Sequence, residues 1–277
     1  MGDFPGFFDF TRPGHGVIDD SHYHPFVRFW MRYGRHLMKL IQVNFLYAVM
    51  TLPVYVWLVS QINVATAQAD GKVTSLLGTL LMYFAVQMPV PLVVGLLVLS
   101  ILIMGPATAA MTYFAIDCAW DRPGLLWARF WSAWKKNWKQ AFPVGLMDFA
   151  VLLASLYYLI DGKAILGAMG GVFQIVWILF ALVYSLIRVY IFPVMVTIDL
   201  PFLALVKNCL ILVLLKPWRP LAVAAIAAAL CFLCTVADII LLPCFLFSFV
   251  AFSAAFFAQP VIEEYLIKSE ENCQNKE

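Results

Sequence analysis

WARFWSAWKKNWKQA, residues 127–141, places four tryptophans, one arginine and three lysines in fifteen positions. Long apolar runs flank it on both sides. Trp127, Trp131, Trp134 and Trp138 are spaced 4, 3 and 4, so at about 100° per residue they form one narrow helical stripe. Arg129, Lys135, Lys136 and Lys139 fall beside it. Indole rings favour the headgroup level of a bilayer, and lysine and arginine favour its cytoplasmic side. The stretch therefore predicts an amphipathic helix lying at the inner membrane surface, and it orients everything around it.

The composition agrees. The 277 residues are 64% hydrophobic and 12% charged, with a mean hydropathy of +0.89. Soluble domains are about half apolar and about a quarter charged. An integral membrane protein is the ordinary class that fits. The first 25 residues hold Pro5, Pro13, Gly14, Gly16, Asp19, Asp20 and His22 and no continuous apolar core, so no cleavable signal peptide is expected. Gly6 stands where myristoylation would need Ser or Thr.

A hydrocarbon core of about 30 Å needs about 20 helical residues. Six crossings are expected: about 37–60, 90–118, 140–160, 166–194, 220–237 and 240–259. A polar link, QINVATAQADGK, follows the first, and a DGK turn (Asp161 to Lys163) follows the third. Pro89 and Pro91 divide an overlong apolar run, leaving 73–88 as a half-length element at the outer face. The fold class is all-α, a polytopic membrane protein with about six transmembrane helices plus amphipathic interfacial helices on the cytoplasmic side. Its parts are a cytoplasmic N-terminal segment (1–36), a transmembrane domain (37–260) with cytoplasmic loops at 120–139 and 198–219, and a cytoplasmic tail (261–277). With both termini inside, every Lys and Arg of the 18 lies on the inner side except Lys72, Lys163 and the intramembrane Arg188. That is the positive-inside pattern of a multi-pass membrane protein with both termini cytoplasmic.

The opening device recurs before the first crossing. Phe26, Trp30, Tyr33 and Leu37 repeat the 4, 3, 4 spacing, with Arg28, Arg32, Arg35 and Lys39 as the cations. Trp127, Trp131, Trp134, Lys135, Lys136, Trp138, Phe26, Trp30 and Arg32 form a candidate interface. It serves either as a lipid anchor or as a dock for a soluble partner. Nucleic acid is not expected as a partner, because crossings flank these segments so closely.

Charges inside a bilayer are functional candidates. Asp148 and Arg188 lie at similar depths, so an ion pair between them is possible, and Asn44 could bond across helices or cap a broken one. A weak repeat pairs Ile116-Asp117 and Lys136-Asn137 with Ile198-Asp199 and Lys207-Asn208. The Cys231–Cys234 pair stands in an apolar helix without a second pair, and His22 and His24 in DDSHYH read as a polar segment. No metal, cofactor or catalytic residue is expected: no GxSxG, HExxH or Walker A motif occurs.

FFDFTRPGHGV, FVRFWMRYG, NFLYAVMTLPV, GPATAAMTYFAI, FWSAWKKNWKQA, VTIDLPFLALVKNCLILVLL and QPVIEEYL together resemble the YesL-like family of bacterial integral membrane proteins. Nearly the whole chain takes part, and GPATAA followed by the Trp-Lys-Asn segment is the most specific element. The insert between Pro53 and Gly105 departs from shorter members. The family it resembles has no established biochemical activity, and a non-enzymatic role is the expectation. It implies a link with carbohydrate uptake beside ABC-type sugar importers, in a Gram-positive-type bacterium. The expected function is a non-enzymatic accessory or assembly component of a carbohydrate ABC-type uptake system. Its expected partners are membrane lipid and the permease or ATPase subunits, or itself as a homo-oligomer. A stand-alone small-solute transporter built on the buried polar residues is the alternative. Gly105, Pro106, Ala107 and Ala109 offer a small-residue surface for close helix packing.

Overall fold

The computed structural model describes residues 20, 22–70, 89–122, 125–166, 170–237 and 246–267. Seven α-helices appear among them: α1 (Pro25–Asp70), α2 (Val90–Ala119), α3 (Leu126–Leu166), α4 (Gly170–Thr197), α5 (Phe202–Leu215), α6 (Trp218–Ala237) and α7 (Phe247–Ile262). A π-helical turn, Glu263–Ile267, continues α7. There is no strand among the described residues.

α2 is the axis of the bundle, packed against α1, α3, α4 and α7. Every residue from Gly105 to Thr112 is buried. The GPATAA segment makes this possible, because it presents almost no side chain. A Cβ added to Gly105 would overlap the carbonyl oxygen of Ala141, and one on Gly145 would fall 2.5 Å from the Gly105 nitrogen. The backbones of α2 and α3 therefore touch, a crossing that only small residues permit. Pro106 costs α2 one backbone hydrogen bond at this crossing.

Apolar surface faces outward elsewhere. α4 exposes Phe173, Ile175, Val176, Ile178 and Leu179 in succession, a surface that water would not tolerate on a monomer. Three helical stretches are long and apolar enough to cross a membrane: Pro25–Val54, Pro91–Ala119 and Gly171–Thr197. α5 and the first part of α6 meet that test only as a pair bent by 94°, a broken span or a re-entrant loop. The count is thus three, or four with the bent pair, among the described residues.

Several boundaries differ from expectation. The amphipathic segments are not separate interfacial helices: 25–36 runs on into α1 and 126–139 into α3. Ending a helix at the lipid boundary would orphan its last carbonyls and the next helix's first N–H groups, whereas continuing satisfies them. For the same reason the polar link after residue 60 is helical as far as Asp70, and the DGK segment lies inside α3. The stretch read as the loop 198–219 is mostly helix, α5 and the start of α6. The 73–88 element and the two ends of the chain lie outside the described residues.

Candidate functional site

Two polar constellations stand out, one within the bundle and one at its basic end.

Within the bundle, Asp148 of α3 and Arg188 of α4 do meet. Arg188 Nε donates to Asp148 Oδ1 at 2.7 Å, and the hydroxyl of Tyr184 donates to the same oxygen at 2.7 Å. Tyr184 lies one turn before Arg188, so the two share a helical face. The guanidinium also rests 5.4 Å from the centre of the Phe192 ring. Asp148 Oδ2 is buried and has no partner. An acceptor without a donor, in a place water reaches poorly, is a costly feature that a passing polar ligand could satisfy. Asn44 bridges helices: its Oδ1 accepts the backbone N–H of Ser248, in the first turn of α7, at 2.9 Å. Its amide nitrogen is also buried without a partner.

At the basic end, the N-terminal ends of α1 and α6 meet the C-terminal ends of α2 and α7. α2 closes with a Schellman motif: Arg122 N–H bonds the Asp117 carbonyl at 2.8 Å and Asp121 N–H bonds the Cys118 carbonyl at 3.3 Å. The left-handed residue of that motif is usually glycine. Here it is Asp121, with φ of 50°. The strained position gains a carboxylate, which pairs with Arg35 at 2.9 Å and accepts from His36 Nε2 at 2.6 Å. Asp20, just before α1, takes a two-pronged bond from Arg32, at 2.7 and 2.6 Å, and a third contact from Arg35 at 3.0 Å. Arg32 Nη1 also donates to the last carbonyl of α2, Ala119, at 2.6 Å, and its guanidinium lies 5.5 Å from the Trp120 ring. Arg129 of α3 pairs with the buried Asp117 at 3.1 Å. Three cations therefore neutralise the negative end of α2 and its acidic residues.

Arg32 is consequently not a surface residue for lipid or partner. It is a strut between α1 and α2, with its side chain 13% exposed. The aromatic stripes also divide. Phe29 and Tyr33 turn inward against Phe249 and Phe252 of α7, while Phe26 and Trp30 remain exposed. On α3 the inward face is Phe130, Ala133, Asn137 and Ala141, with Trp134 half-buried against it. Trp127, Trp131 and Trp138 stay exposed beside Lys135, Lys136 and Lys139. Lys136 reaches Asp199 at 3.2 Å, and Gln140 Nε2 bonds the Leu200 carbonyl at 2.8 Å, so the start of α3 also holds the α4–α5 connection. The repeat does not carry over into chemistry, for Asp117 is buried against Arg129 whereas Asp199 is exposed.

Among the described residues no group of three or more His, Cys, Asp or Glu side chains could hold a metal ion. Cys118 and Cys209 are buried thiols. The side chains of Cys231 and Cys234 lie outside the described set. Sequence reasoning missed Asp20 and Asp121, because neither falls in a periodic segment. It also missed Tyr184, although its spacing from Arg188 was a usable signal.

These features define an all-helical membrane protein with a buried polar cluster and a basic, aromatic end. A family model described as "Protein of unknown function, DUF624" matches residues 40–159, from the middle of α1 through most of α3. No curated protein and no solved structure matches the chain.

Proposed function

We propose that this chain is an accessory or assembly subunit of a carbohydrate ABC-type uptake system, set in a bacterial plasma membrane by six crossings with both termini cytoplasmic. The observation that carries the reading is the exposed face of Trp127, Trp131 and Trp138 with Lys135, Lys136 and Lys139. Aromatic residues beside a cationic rim make a strong docking surface, since large rings bury much area at little entropic cost. Phe26 and Trp30 offer a second such patch on α1. The resemblance to the YesL-like family supplies the partner class.

The test is purification in mild detergent from native membranes at native expression, with mass spectrometry of the associated chains. ABC permease or ATPase subunits should co-purify in near-stoichiometric amount. They should be lost from a Trp127→Ala, Trp131→Ala, Trp138→Ala variant that keeps the wild-type elution profile. Recovery of the protein alone, or only with itself, would overturn the reading.

A second reading is favoured by one observation, the unpartnered oxygen of Asp148 beside Arg188 and Tyr184. In that reading the chain moves a small polar solute by itself. Reconstituted protein would then show solute flux that Asp148→Asn abolishes without unfolding.

A further inference from the structure

A cleft of about 360 Å³ opens at the basic end of the bundle, lined by Arg28, Arg32, Trp120, Trp218, Arg219 and Phe257 among others. It brings three guanidiniums together from two helices, α1 and α6. Arg32 is neutralised by Asp20. Among the described residues no carboxylate lies within ion-pair distance of Arg28 or Arg219. Arg28 makes only a long bond, at 3.4 Å, from Nη2 to the Tyr23 carbonyl, and Arg219 bonds the Phe257 carbonyl at 3.2 Å. The charge of Asp20 reaches Arg28 only from beyond ion-pair distance. Two guanidiniums that share one cleft with no carboxylate in contact repel each other, and an anion between them would relieve that repulsion.

The helix ends point the same way. The N-termini of α1 and α6, with helices of 46 and 20 residues behind them, both reach the cleft, and each adds partial positive charge. The C-termini of α2 and α7 also arrive there. Their opposing effect is small, because Arg32 takes the Ala119 carbonyl and α7 runs on past the cleft into the π-helical turn Glu263–Ile267. A group that fits must therefore be anionic and offer acceptors toward α1 and α6 at once. A planar carboxylate serves one guanidinium fork well, whereas a tetrahedral phosphate serves several. The remaining walls, Trp218, Phe256 and Phe257, are apolar.

We propose that this cleft binds a phosphate group, carried by a phospholipid headgroup or by a free phosphorylated solute, with Arg28 and Arg219 as its donors. The site is independent of any ABC partner.

The experiment uses the purified full chain in nanodiscs. One arm replaces part of the phosphatidylcholine with phosphatidylglycerol and counts retained lipid by native mass spectrometry. The other titrates inorganic phosphate and follows tryptophan fluorescence. Two variants of equal charge are compared, Arg28→Gln/Arg219→Gln and Lys135→Gln/Lys139→Gln, the latter removing exposed lysines. Ala222→Trp, which fills the cleft and keeps every charge, guards against a double-arginine variant that does not fold. Selective retention of phosphatidylglycerol, weakened at least tenfold by the arginine pair or by Ala222→Trp but not by the lysine pair, identifies a lipid headgroup. Saturable binding of inorganic phosphate with the same variant pattern identifies a free phosphate. Equal losses in both charge variants, no loss with Ala222→Trp, or no binding of either probe would overturn the proposal.

Discussion

At Gly105 and Gly145 there is no room for even a methyl group. Gly105→Ala must push α2 away from the Ala141 carbonyl, and overpacking of this kind costs about 1–3 kcal/mol. The expected result is a lower thermal midpoint in detergent. Gly34 and Gly95 sit in helices and meet nothing within 4 Å, so the same change at either should be tolerated or stabilise by up to about 1 kcal/mol. At Asp148 the expectation depends on what remains. Asp148→Leu leaves Arg188 and Tyr184 without their shared acceptor, at a cost of about 3 kcal/mol. Asp148→Leu combined with Arg188→Met should recover much of that loss, because no charge is then stranded. If the double variant is as unstable as the single one, the pair is not a coupled unit. Asp20 gives a pH-dependent signature. Hydrogen bonds from Arg32, aided by the charges of Arg32 and Arg35, hold its carboxyl below the ordinary value of 3.8 against the opposing effect of burial. A carboxyl with a lower pKa folded than unfolded stabilises the fold above its unfolded value and stops doing so as pH falls through the folded one. The difference in thermal midpoint between wild type and Asp20→Asn should thus be full at neutral pH and close below about pH 4.

The helical elements were largely readable from hydropathy, and their ends were not. α2 starts and ends within a residue or so of expectation, because Pro89 before it and the Asp121-Arg122-Pro123-Gly124 sequence after it are strong local signals. α1 and α3 overrun theirs. Polarity marks where a helix leaves lipid, but the chain keeps its backbone hydrogen bonds past that point. α5 went unseen because Lys207 and Asn208 made an apolar helix of 14 residues look like a loop. The same limit applied to the candidate site. The spacing of the tryptophans identified a helix and an aromatic surface, but not which rings turn inward. Phe130, one position from the stripe, is the buried residue, and three of the four tryptophans remain outside. Arg32 has the spacing of a surface cation and the contacts of a core residue. Its partners Asp20 and Asp121 lie in unpatterned sequence, so periodicity cannot pair them.

For the whole molecule, the structure brings the ends of α1, α2, α6 and α7 together, and ties the start of α3 to the end of α4. One basic end is what the positive-inside reading requires, and its sidedness can be measured directly. A cysteine at Lys139 should react with a membrane-impermeant maleimide only after the membrane is permeabilised, and one at Lys163, on the outer side in the charge reading, should react without it. The opposite pattern would invert the topology and remove the case for a cytoplasmic partner. The central claim is that the exposed tryptophan–lysine face of α3 docks another protein. The most direct measurement is site-specific photo-crosslinking in living cells, with a photoreactive residue at Trp138 and, as a control, at lipid-facing Ile178. The account predicts a discrete adduct from position 138, containing an ABC permease or ATPase subunit, and none from 178. Lipid adducts alone at both positions would contradict it, and would leave that face as a membrane anchor.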